Sequence, residues 1–200
     1  MAVKKEKPFV LGITGTIASG KSLVGRLLEE RGIAVIDTDK LTHEVLANDA
    51  ATKRAIVEQF GSEVLSDDAI DRKKLARIVF GNDDSRRKLE QIVHPNVVLS
   101  CRRRIAELKN ERIVAVLVPL LFETNMAGEY DEIWTVFTSE AVLKQRLGER
   151  DKLEASEIER RLAAQLPQSE KCSRADQVID NSSTQAETAR QVNLLIEKLL

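Results

Sequence analysis

Gly15-Thr16-Ile17-Ala18-Ser19-Gly20-Lys21-Ser22 fits the pattern G-x-x-x-x-G-K-[ST], and what lies on either side of it decides the fold. The run before it, Phe9-Val10-Leu11-Gly12-Ile13, is apolar without alternation and reads as a buried parallel strand. After the loop, residues 21–31 read as a helix. Val24, Leu27, Leu28 and Arg31 fall at helical spacing, and Gly32 supplies the stop. Strand, glycine-bearing loop and helix in that order make a phosphate cradle. The glycines let backbone N–H groups curl around an oxyanion without Cβ clashes. The helix turns the positive end of its dipole to the same point. Lys21 is suited to the β- and γ-phosphates and the Ser22 hydroxyl to Mg²⁺. ATP with magnesium is therefore expected on Gly15, Thr16, Ile17, Ala18, Ser19, Gly20, Lys21 and Ser22.

Further along, residues 33–36 form a second apolar strand. It ends at Asp37-Thr38-Asp39, where a helix through Leu46 begins. The alternation predicts an α/β fold: a P-loop NTPase-type parallel sheet flanked by helices. Residues 51–110 hold no convincing strand. They read as four helices at about 51–60, 71–80, 85–93 and 95–110, with Pro95 in the first turn of the last. The sheet resumes at 113–118 and 133–137. Ser139 is placed to cap a helix to Arg150, and 154–166 is another, dense in charge. Residues 178–179 read as a short last strand and 184–200 as a closing amphipathic helix. One P-loop kinase domain over 1–200 is expected. Its core is 8–46, 112–140 and 170–200, with a helical substrate-binding insertion at about 47–111 and a small helical lid at about 141–169.

Composition excludes several other classes. The 200 residues are 42% hydrophobic and 32% charged, a globular balance. A net charge of -1 predicts neither nucleic-acid nor membrane attraction. Cys101 and Cys172 stand far apart in no metal-like spacing and read as reduced thiols. The apolar run at 9–13 is too short for a signal-peptide core or a membrane span, so a cytoplasmic location is expected. Between Arg72 and Arg112 there are 12 Lys and Arg against 5 Asp and Glu, an excess of 7 positive charges. That excess suits an acidic small molecule. The single aromatic residue of the stretch, Phe80, makes no interleaved series for base stacking, so it does not read as a nucleic-acid site.

Among P-loop proteins, a kinase for small molecules competes with a nucleotide-binding switch. The guanine-reading N-K-x-D motif of switch GTPases does not occur. A carboxylate at the end of the second strand, Asp39, lies at the ligand-binding edge of an open α/β sheet. It can accept the proton of an attacking hydroxyl. Either Asp37 or Asp39 can equally cap the following helix.

Further elements carry a resemblance. They are Gly12-Ile13-Thr14-Gly15 through Lys21-Ser22, Val35-Ile36-Asp37-Thr38-Asp39, Asp71-Arg72-Lys73-Lys74-Leu75 with Ile78-Val79-Phe80, and Leu89 through His94-Pro95. Then follow Pro119-Leu120-Leu121-Phe122-Glu123, Arg146 with Arg150-Asp151, Arg161 with Gln165, Ala175-Asp176 and Val178-Ile179-Asp180-Asn181. In this order they resemble the dephospho-CoA kinases over nearly the whole chain. The resemblance implies ATP-dependent phosphorylation of the ribose 3′-hydroxyl of dephospho-CoA, the last step of coenzyme A synthesis. It implies Asp39 as the base or hydroxyl-orienting residue and Arg146 as the stabiliser of the transferring phosphoryl group. Acceptor contacts are expected at Asp39, Arg72, His94, Leu121, Phe122 and Glu123, lid contacts at Arg150 and Arg161, and a nucleotide contact at Asn181. Each has a plainer alternative: Leu121 and Phe122 as core, His94 as a hinge, Asn181 as a cap for the last helix. A monomer is expected. The chain departs from the family in having Thr16 and Ala18 where glycine is usual, and Leu143 where glutamine is frequent. The runner-up is a nucleoside-monophosphate or other small-molecule kinase.

Overall fold

Apolar runs without polar alternation need cover on both faces, and the strands of this chain find it in a central sheet. The computed structural model describes residues 7–79, 82–152 and 154–200, without the side chains of Arg150 and Asp151. Phe80 and Leu153, expected in a helix and a turn, lie outside the described residues. In chain order the elements begin with β1 (Phe9–Thr14), α1 (Lys21–Glu30), β2 (Ala34–Asp37), α2 (Thr38–Asn48) and α3 (Ala50–Phe60). A small hairpin, β3 (Leu65–Ser66) and β4 (Ala69–Ile70), precedes α4 (Arg72–Val79) and α5 (Asp83–Glu107). Then come β5 (Ile113–Leu117), β6 (Glu132–Phe137), α6 (Glu140–Asp151), α7 (Ala155–Ala163), α8 (Gln168–Arg174), β7 (Gln177–Asp180) and α9 (Gln185–Leu199).

The chain divides into two compact units, residues 1–36 with 108–200, and residues 37–107. The first holds a parallel five-stranded sheet in the order β2-β5-β1-β6-β7, as the alternation of strands and helices predicts. β1 is the centre, pairing in parallel with β5 (Phe9 opposite Ile113) and with β6 (Ile13 opposite Trp134). Its burial follows: Leu11 and Ile13 are inaccessible, and Val24 and Leu28 of α1 close over them with Val192 and Ile196 of α9. The stop at Gly32 is present as read. Its φ is +75°, its N–H reaches Glu29 O at 2.9 Å, and the Ile33 N–H reaches Leu28 O at 3.0 Å. These bonds close the helix and turn the chain into β2.

The second unit is helical, with α2 and α3 against α5. Two readings of this stretch are corrected. Residues 83–107 form one helix rather than two, with Pro95 inside it. Proline removes one N–H, but Val93, Val97 and Cys101 continue a buried stripe across the site, and the Asn96 amide donates to Ile92 O at 2.9 Å. Tertiary burial thus outweighs the local preference for a break. The stretch also contains the β3–β4 hairpin. Its two turn residues, Asp67 and Asp68, both have positive φ, a geometry aspartate tolerates better than most residues. Two helix ends in the first unit also differ from the reading. Ser139 sits at the N-cap of α6 without a capping side-chain bond, and its own N–H donates to Ser182 Oγ at 2.9 Å. Residues 168–174 form a separate short helix.

Candidate active site

The loop between β1 and α1 is shaped by what surrounds its glycines. Gly15 has φ +147°, and a Cβ there would stand 2.6 Å from Val136 O. Gly20 has φ +104°, and a Cβ there would stand 2.0 Å from Asn181 Nδ2. Neither position accepts another residue without displacing the wall behind it. Ala18, where the family usually has glycine, also has a left-handed backbone, with φ +61°. A methyl group there costs about 1 kcal/mol. Thr16 is buried, and its hydroxyl has no hydrogen-bond partner. Lys21 extends back along the loop, its ammonium donating to Gly15 O at 2.8 Å and Thr16 O at 2.9 Å. Ser22 follows on the exposed first turn of α1.

Behind the loop the Ser19 carbonyl is anchored in the interior. It accepts from Thr138 Oγ1 at 2.8 Å and from Asn181 Nδ2 at 2.7 Å, with Arg146 Nη1 at 3.5 Å. In a planar trans peptide C=O and N–H point in opposite directions. Fixing Ser19 O inward therefore aims the Gly20 N–H away from the core, into the cradle. Arg146 also reaches Ala18 O at 3.4 Å and Asn181 O at 3.0 Å. Asn181 is buried, and its Oδ1 accepts from Thr188 Oγ1 at 2.9 Å. It backs the phosphate loop and does not cap the last helix, a position taken by Thr184, whose hydroxyl accepts from the Glu187 N–H. Thr138 and Thr188 are supports of the loop that the sequence reading missed. A threonine at a strand end or on an amphipathic helix carries no local sign of such a role.

The segment after β5 is also built inward. Leu121 is inaccessible and Phe122 nearly so, its ring 4.5 Å from the Arg174 guanidinium. Both expected acceptor contacts are thus buried side chains, on a segment that turns back on itself with the Met126 N–H bonded to Leu121 O at 2.9 Å. Glu123 Oε1 pairs with Lys171 Nζ at 2.7 Å and accepts from the Leu166 N–H at 3.0 Å. Lys171 is fully buried and donates also to Pro119 O at 3.1 Å. A buried ammonium is tolerated only with such partners. Nothing in its charged neighbourhood, Gln168 to Arg174, marks it as interior. Of the residues expected in a lid, Arg161 pairs with Glu157 at 3.0 Å on α7. Arg150 lies on α6, and its side chain is outside the described residues. Leu143, the departure from glutamine, is buried on α6.

In the second unit, Asp37 is the cap of α2. Its Oδ1 accepts from the Asp39 N–H at 2.9 Å and the Lys40 N–H at 3.4 Å. The neighbouring Asp39 side chain is exposed on the first turn of α2. Arg72 is exposed at the start of α4. His94 lies inside α5, half-buried, with an Nε2 that has no hydrogen-bond partner.

The comparisons with known proteins agree with one another. The family model described as dephospho-CoA kinase matches residues 9–187. A dephospho-CoA kinase of Geobacter metallireducens is 47% identical over 92% of each chain. One of Shouchella clausii is 43% identical over 91% of this chain and 94% of its own. Among solved structures, a protein of Thermus thermophilus is 30% identical with a TM-score of 0.83, covering 97% of this chain and 99% of its own. The dephospho-CoA kinase of Campylobacter jejuni is 25% identical with a TM-score of 0.66, over 95% and 96%. A family match over most of the length, joined to a phosphate loop with its glycines, lysine and supporting arginine in place, leads to one assignment: the chain belongs to the dephospho-CoA kinase family.

Proposed function

We propose that the phosphate loop of the first unit serves transfer of the γ-phosphoryl group of ATP to the ribose 3′-hydroxyl of dephospho-CoA, giving coenzyme A and ADP. The observation that carries the reading is the anchored Ser19 carbonyl, which turns the Gly20 N–H into a cradle already lined by Lys21. Backbone donors fixed before the nucleotide arrives need no reorganisation during transfer. Lys21 keeps its bond to Thr16 O and turns its other donors to phosphate oxygens. Arg146, half-buried beside the loop, offers a planar fork to the charge that develops on the moving phosphoryl group. Residues 15–22 hold the phosphates, and Asn181 contributes from behind.

Among the described residues no group of three or more His, Cys, Asp or Glu is arranged to hold a metal. The exposed Ser22 hydroxyl is the donor at hand. That donor set fits Mg²⁺, which takes few protein ligands and keeps phosphate and water oxygens. When bound with ATP it supplies charge neutralisation.

Asp39 accepts the 3′-hydroxyl proton, a role suited to an exposed carboxylate beside the one used as the cap. Arg72, His94 and the basic stretch around them take the acceptor's pyrophosphate. His94 Nε2, buried and unpartnered, is suited to accept or donate one hydrogen bond there. Leu121, Phe122 and Glu123 shape the acceptor site through the packing of their segment, and Arg150 and Arg161 belong to the lid. The enzyme acts as a cytoplasmic monomer, without nucleic acid or membrane. No described helix is long and apolar enough to cross one.

The test is ADP release under one buffer with dephospho-CoA, AMP, adenosine and shikimate as acceptors. Dephospho-CoA should exceed adenosine in kcat/KM by several orders of magnitude, because binding energy remote from the hydroxyl positions it. Equal values for all acceptors would overturn the reading, and preference for AMP would indicate a nucleoside-monophosphate kinase.

A further inference from the structure

Gln165 closes the lid segment just after α7 and carries no role in the account above. Its Oε1 accepts from the Ile17 N–H at 2.8 Å, a backbone donor in the middle of the phosphate loop. The other end of that same peptide, Thr16 O, accepts from Lys21 Nζ at 2.9 Å and from the Ser19 N–H at 3.2 Å. One rigid peptide plane therefore joins Gln165 to Lys21, since N–H and C=O of a trans peptide cannot rotate independently.

Gln165 is itself held in place. The next residue donates its N–H to Glu123 Oε1 at 3.0 Å, and Glu123 is fixed by the fully buried Lys171. The Gln165 N–H is bonded back to Leu162 O at 3.1 Å. The side chain thus projects from a fixed point toward the loop. It is also an uncharged acceptor. A carboxylate would satisfy the Ile17 N–H equally well but would place a negative charge beside a polyphosphate.

We infer that Gln165 is a positioning residue for Lys21: it sets the tilt of the Thr16–Ile17 peptide, and that tilt places the ammonium at the mouth of the loop. The inference rests on ATP being the nucleotide held there.

ATP affinity of the full chain, measured by calorimetry, decides the matter for wild type, Gln165→Met, Lys21→Ala and the double variant. Methionine keeps the size of the side chain and removes the acceptor. Gln165→Met should weaken ATP about tenfold, the scale of one neutral hydrogen bond. In the Lys21→Ala background the same substitution should change affinity less than twofold, because the group it positions is gone. Affinity of Gln165→Met within twofold of wild type overturns the inference. So does a tenfold loss repeated in the Lys21→Ala background, since Gln165 would then act on the loop independently of the lysine. Thermal melts accompany each titration, and Gln165→Ala replaces the methionine variant if that fails to fold. Wild-type turnover of dephospho-CoA in the same buffer tests the proposed reaction separately.

Discussion

The two units differ in how deeply they bury their side chains. In the first, Leu11, Ile13, Val24, Leu28, Trp134 and Ile179 have no accessible surface. In the second, only Ile56 and Val64 among the described hydrophobic residues reach that state. The difference matches what each unit contributes. The first holds backbone atoms: the N–H groups and carbonyls of a loop whose shape must be fixed closely. In the proposed reaction the second contributes side chains, Asp39, Arg72 and His94, carried on helices with a shallower core. A dense core keeps a loop in one conformation, and a shallow one opens locally at lower free energy.

The largest expected effects come from removing one functional group on each side of this contrast. Asp39→Asn should lower kcat by roughly 10²–10⁴ with ATP affinity little changed. Lys21→Ala should cost roughly 10²–10³ in turnover and weaken ATP as well. Steady-state kinetics beside calorimetric ATP titration separates the two signatures. Greater damage from Asp37→Asn than from Asp39→Asn would reverse the assignment of the carboxylates. The contribution would still come from the second unit, but from the residue that caps α2.

A smaller effect tests the packing contrast itself. Leu28→Ala and Leu75→Ala are the same change at a sealed site of the first unit and at a short helix of the second. Urea unfolding should give about 4 kcal/mol for the first and about 2 kcal/mol for the second. Equal losses would mean that the two cores do not differ in rigidity.

The smallest concerns Asp71, the cap of α4. Its Oδ1 accepts from the Lys73 N–H at 2.8 Å and the Lys74 N–H at 3.1 Å, and its Oδ2 from Ser66 Oγ at 3.0 Å. The backbone bond to Lys74, followed by that to Ser66, holds this carboxyl below its ordinary value. A carboxyl depressed in the folded state stabilises above its unfolded pKa and loses that contribution as pH falls through the folded one. Asp71→Ala should therefore lower the thermal midpoint by a few degrees at neutral pH. The difference from wild type should vanish in acid. A gap that persists below the carboxylate range would point to packing rather than capping.

What was legible in the sequence was mostly local. The phosphate loop, the stop at Gly32 and the central strands each declare themselves within about ten residues, because backbone geometry there depends on near neighbours. The errors arose where distant burial decided. Pro95 signals a helix start in isolation, yet Val93, Val97 and Cys101 carry one helix through it. Strands of two residues, as at Leu65–Ser66, are too short to show alternation. The site shows the same division. Lys21 and Asp39 stand out by motif. The supports Thr138 and Lys171 act on residues far away in the chain and have no pattern of their own, and Asn181 was reached only through the family resemblance.

The strand order also bears on how the chain is assembled during synthesis. β1 is flanked by β5 and β6, and β2 by β5 alone. Both early strands therefore lack any neighbour until Ile113–Leu117 has been made. By then residues 37–107 are complete and, being rich in near-neighbour helix contacts, are suited to fold first. The apolar strands ahead of them must wait with their edges open, the condition in which nascent chains are prone to stick to one another. β5 thus acts as the keystone of the ribosome's product: its emergence joins the two waiting strands in one step.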